Sequence, residues 1–90
     1  MARPVHVASG TGGVQAATGA GTLVAFTATG SAASVVRLHD GTDNTGPVVA
    51  VIGVPAGNTA ADRLAAVDFT TGVFIDRDVT NASEFVLYLL

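Results

Sequence analysis

Apolar residues recur along this chain in short runs, each closed by glycine, proline, asparagine or aspartate. The clearest case is residues 34–57, SVVRLHDGTDNTGPVVAVIGVPAG. A β-rich run, residues 34–39, enters a turn cluster, residues 40–47. A second apolar run, Val48–Val54, follows and ends in another turn. The pattern predicts a β-hairpin or a strand-to-strand crossing between sheets. On the first strand Val36 and Leu38 share one face, Arg37 and His39 the other. The second is apolar on both faces, Val49, Val51 and Gly53 alternating with Val48, Ala50, Ile52 and Val54. A small domain has little interior for two apolar faces, so the chain reads as one piece of a larger assembly.

The remaining runs behave alike. Residues 22–29, TLVAFTAT, place Leu23, Ala25 and Thr27 on one face and Val24, Phe26 and Ala28 on the other. Residues 73–79 and 84–90 read as two further strands. The last, EFVLYLL, alternates Phe85, Leu87 and Leu89 with Val86, Tyr88 and Leu90. Residues 59–66, TAADRLAA, are the one helix-tempting segment. They are read as an extended loop running into a strand at residues 67–69, with a helical turn as the alternative. Residues 8–22 hold five glycines among small polar residues. With a short strand around Val5 and Val7, residues 1–20 are expected to be a flexible N-terminal arm, ordered by a partner. Residues 21–90 then form the folded domain. About seven short strands with regular turns predict an all-β fold, a sandwich or a small barrel.

Composition sharpens this picture. Ninety residues make one domain of marginal independent stability. Without cysteine there is no disulfide to reinforce it, and His6 and His39 are a thin supply of metal ligands. Oligomerisation or docking remains. Charged residues are 12 %, about half the usual share. Lysine is absent, and the net charge of −3 offers no phosphate track, so no nucleic-acid partner is expected. A free monomer with so few charges would be poorly soluble. No apolar run is long enough to span a bilayer, no membrane partner is expected, and no signal peptide is visible at the start. Asn81-Ala82-Ser83 matches a glycosylation pattern but reads as a turn before the last strand.

Candidate chemistry is sparse. Asp40-Gly41-Thr42-Asp43-Asn44 has the look of a calcium loop, but the distant bidentate glutamate is missing and turn chemistry accounts for the residues. Asp76 and Asp78 lie two apart on a strand with Arg77 opposite. They project in parallel rather than across a cleft, as on a solvated or partner-facing surface. His39 beside Asp40 lacks a nucleophile elbow. The glycine-rich block lacks the lysine of a phosphate loop. Neither a catalytic residue, a metal site nor a cofactor is expected, and the chain is read as no enzyme.

Three stretches carry a resemblance: residues 35–42, VVRLHDGT, with 46–52, GPVVAVI; Pro55-Ala56-Gly57; and residues 69–76, FTTGVFID. Together they resemble small virion proteins of tailed phages, of the head decoration (cement) type, over about residues 20–90. The resemblance implies a small β-sandwich, jelly-roll-like, that joins the capsid exterior, a homotrimer, and the major capsid protein as partner. The expected location is the outer surface of the virion. Capsid contact is assigned to the arm residues Arg3, Pro4, Val5, His6, Val7 and Ala8. Core and intersubunit packing is assigned to Val49, Val51, Phe85, Leu87, Tyr88 and Leu89. A tail, neck or fibre-associated module and a carbohydrate-binding adsorption module are the alternatives.

Overall fold

The computed structural model describes residues 2–90, the side chains of Leu64 and Ala65 excepted. The fold is all-β. Its eight strands are β1 (Arg3–Gly10), β2 (Gly13–Thr18), β3 (Gly21–Gly30), β4 (Ser34–Asp40), β5 (Val48–Val54), β6 (Thr59–Phe69), β7 (Gly72–Asp76) and β8 (Ser83–Leu89). They form two antiparallel sheets, β1-β8-β3-β6 and β2-β7-β4-β5. Apart from the β4–β5 hairpin, each strand is followed by one in the opposite sheet. Two four-stranded sheets wound in this order are a jelly roll.

The inner faces follow strand alternation. Val36 and Leu38 of β4, Ile52 and Val54 of β5, Val73 and Ile75 of β7, and Phe85, Leu87 and Leu89 of β8 are all buried. In β3 the alternation breaks. Its register shifts between Leu23 and Ala25 against both neighbours. The bulge lets Leu23 and Phe26, three positions apart, both face the core together with Ala28. Strict alternation had placed Leu23 and Phe26 on opposite faces. Opposite the same bulge, Ala66 of β6 takes a positive φ of 52°.

Two segments depart from the sequence reading. Residues 1–20 were expected to be a flexible arm, yet β1 pairs with β8 along Arg3–Val7 and β2 pairs with β7. Composition misleads here because a glycine can be a steric requirement of strand pairing. A Cβ on Gly13 of β2 would sit 2.3 Å from the Phe74 ring, and one on its β7 neighbour Gly72 would sit 2.5 Å from the Ala17 carbonyl oxygen. Val14, Ala16 and Ala17 pack on the core. Removing the first dozen residues would therefore strip β8 of one neighbour rather than release an independent tail. The second departure is residues 59–66, which are neither loop nor helical turn. They begin an eleven-residue edge strand whose pairing with β3 overrides the helical tendency of an alanine-rich segment.

This arrangement separates interior from surface within single strands. Leu87→Ala is expected to cost about 2–5 kcal/mol in urea unfolding. Val51→Ala, at a position 59 % exposed on the single chain, is expected to stay within about 0.5 kcal/mol for the unassembled subunit.

Candidate functional surface

The polar residues that promised chemistry are spent on holding turns. Arg77 follows the last residue of β7 and is buried, 8 % exposed. Its Nε donates to the Gly12 carbonyl at 2.9 Å. Nη1 donates to Ala8 at 3.1 Å and Ser83 at 3.3 Å, and Nη2 to Thr11 at 3.3 Å. All four acceptors are backbone oxygens, with no carboxylate among them. Burial lowers the guanidinium pKa from its ordinary value, although arginine remains charged at any physiological pH. The sequence reading put Arg77 on a surface opposite two carboxylates. The structure corrects this: β7 ends at Asp76, and the side chain turns inward under the β1–β2 connection. Asp78 is turned onto its own loop, accepting from the Thr80 and Asn81 amides at 2.7 and 3.1 Å.

Asp40 performs the matching task at the β6–β7 turn. Its carboxylate accepts from the Thr70 and Thr71 amides, both at 2.9 Å, from the Thr70 hydroxyl at 3.1 Å and from the Gly72 amide at 3.3 Å. These donors favour the charged form and lower its pKa. Asp43 is lowered in the same way, by the Thr45 hydroxyl and amide. The apparent calcium loop is thus two carboxylates bonded to turns. Among the described residues no group of three or more potential metal ligands comes together. His39 is buried at 6 % exposure with Nδ1 2.8 Å from the Gly46 carbonyl, while Asp40 reaches the other way, so the two form no catalytic pair.

The surface residues named from sequence sort by strand geometry. Arg3, Pro4, His6 and Ala8 of β1 are exposed, while Val5 and Val7 face the core. His6 Nε2 meets a Glu84 carboxylate oxygen at 2.5 Å on the outer face. Phe85, Leu87 and Leu89 belong wholly to the core, and Tyr88 stands half-buried on the outer face of the same strand. Val49 sits at a register shift in the β4–β5 ladder and packs partly on the core. Val51 is exposed, and with Val35 at 58 % and Val48 at 49 % it leaves apolar surface on the outside of β4 and β5, around the exposed Arg37 that pairs with Val51. β5 ends its sheet, so one side of its backbone has no partner strand. A seven-residue edge of valine, isoleucine and small residues with no charge is the kind that natural proteins normally guard. Sequence reasoning anticipated this apolar surface, because Val48–Val54 reads as apolar on both faces. It missed the outward row around Tyr88 and the inward Arg77, whose partners are 65 or more positions away for three of four bonds.

Comparison with known proteins finds no matching family model, curated protein or solved structure.

Both turn clips make measurable predictions. Arg77→Met leaves four carbonyls without their donor and is expected to cost at least about 3 kcal/mol in urea unfolding. Arg77→Lys, which cannot reach all four, should recover only part. Asp40, Asp43 and Asp78 have folded-state pKa values below their unfolded ones. Their stabilisation is complete above about pH 4 and is lost as pH falls through the folded values. Asp40→Asn should therefore lower Tm at neutral pH and shrink the further fall in Tm between about pH 4 and pH 2.

Proposed function

We propose that this chain is a structural virion protein of the head decoration type, which self-associates, as a trimer, and binds the major capsid protein on the outside of the shell. The observation that carries the reading is the unguarded β5 edge with the exposed Val35, Val48 and Val51 beside it. A monomer gains nothing from such an edge and risks aggregation, whereas an assembly covers it. The motif resemblance over residues 35–76 supports the phage setting and the trimer. The polar residues support a structural role, since Asp40, Asp43, Arg77 and Asp78 are all engaged in holding turns.

In this reading the two sides of the sandwich divide the work. The β4–β5 side meets sister subunits through apolar contact and edge pairing. The opposite side carries the free edge of β1, with Arg3, Pro4, His6 and Ala8 outward, and meets the capsid. Each contact is small, and the lattice multiplies it, so many weak attachments clamp neighbouring capsomers.

Light scattering on the purified chain and co-sedimentation with undecorated capsids test the proposal together. Wild type is expected as a trimer that pellets with capsids. Val51→Arg is expected to give a folded, soluble monomer whose capsid binding falls at least about tenfold through lost multivalency. Paired Arg3→Glu and His6→Glu substitutions should leave the trimer intact and weaken capsid binding alone. A wild-type monomer that does not pellet would overturn the reading.

A further inference from the structure

The outer face of the β1-β8-β3-β6 sheet carries a groove of about 420 Å³, within the range of small-molecule sites, open along the sheet surface. Register explains its shape. Tyr88 of β8, Ala25 of β3 and Arg63 of β6 stand in one row across the strands. In the next row, Thr27 lies beside Ala61. Strands are about 4.8 Å apart, so the tyrosine and the arginine rise roughly 10 Å from each other across a floor of small side chains. The floor stays low because the bulge after Leu23 turns Phe26 inward and leaves Ala25 outward. Among the described residues the Arg63 guanidinium has no ion-pair partner. Asp62 pairs with the inward-facing Phe26, so its carboxylate, with Oδ1 engaged by the Arg63 amide at 2.8 Å, lies on the other side of the strand from Arg63 and Ala61.

The geometry points to a saccharide site in this groove, binding a neutral hexose unit of a glycan chain between Tyr88 and Arg63. The ring of Tyr88 presents a negative π-face to which the C–H face of a pyranose is complementary. Arg63 supplies donors and Thr27 a hydroxyl that both donates and accepts, the mixture that sugar hydroxyls require. An open groove lets a polymer continue past the bound unit on either side. A net charge of −3 disfavours nucleic acids and polyanionic glycans. The groove lies on the outer face between β8 and β6, in the opposite sheet from β5 and across β8 from the free edge of β1. The inference goes beyond the assembly role and does not depend on it: a subunit displayed on a particle would add adhesion to surface glycans.

The test uses a built-in reporter, because Tyr88 is the one tyrosine and the chain has no tryptophan. The full chain is titrated with neutral gluco-, galacto- and manno-oligosaccharides while tyrosine emission and amide NMR shifts are followed. At least one series is expected to give saturable changes with Kd of roughly 0.1–10 mM, the shifts centred on Ala25, Thr27, Ala61 and Arg63. Tyr88→Phe should keep that binding by NMR within about threefold, Arg63→Ala should weaken it about tenfold, and Tyr88→Ala should abolish it. Should Tyr88→Ala fail to fold, the contrast between Tyr88→Phe and Arg63→Ala decides. No saturable response to any series would overturn the proposal. So would a response unchanged by Arg63→Ala, or one displaced by an oligonucleotide or a peptide. None of these results bears on trimer formation or capsid sedimentation, so the two proposals fail separately.

Discussion

A single buried guanidinium ties the two sheets together at one end of the sandwich. Arg77 leaves β7, in one sheet, and bonds carbonyls at the end of β1, at the start of β8 and in the β1–β2 connection. In a chain with no disulfide this is a polar tie across the layers, and it helps order a glycine-rich segment that lacks strand propensity. Burying an isolated charge is costly unless its hydrogen bonds are met. Here they are met by oxygens that would otherwise be orphaned where the strands end and the chain turns. Gly10 fits the same site: a Cβ there would lie 3.2 Å from both terminal nitrogens of Arg77. At the β6–β7 turn the Asp40 carboxylate gathers amides as Arg77 gathers carbonyls, so each of these connections is closed by one charged side chain.

Those two clips mark the boundary of what the sequence made legible. The β4–β5 hairpin, β3, β7 and β8 were readable because alternation and turn residues act within a few positions. Asp43, followed two residues later by threonine, was readable as a turn for the same reason, whereas Asp78 was placed on a strand that ends at Asp76. Arg77 and Asp40 were not readable, because most of their partners lie thirty to seventy positions away and nothing local distinguishes a solvated Asp-Arg-Asp from a buried cap. The same distance effect hid β2. Gly13 weakens a strand in isolation and is required only because Phe74 crosses it. The bulge at Val24 hid the inner face of β3, since strict alternation had put Leu23 with Ala25 and Thr27, opposite Phe26 and Ala28.

The surface residues follow from where the core ends. β8 supplies Phe85, Leu87 and Leu89 to the interior, so its outward side chains, Val86 and Tyr88, are left to the face of the molecule. β4 and β5 likewise leave Val35 and Val51 outside once Leu38 and Ile52 are committed inward. With 12 % charged residues the chain has little with which to cover such positions. The proposed assembly would cover this uncharged edge strand and the exposed valines beside it, and that is the link between the fold and the proposed role.

A cryo-EM map of the particle that carries this chain tests that link most directly. The account predicts density for an eight-stranded sandwich at the three-fold and quasi-three-fold positions of the shell, with β4 and β5 facing sister subunits and β1 facing the capsid. Density confined to the tail or to a single vertex would contradict it, as would a shell in which β5 faces open solvent.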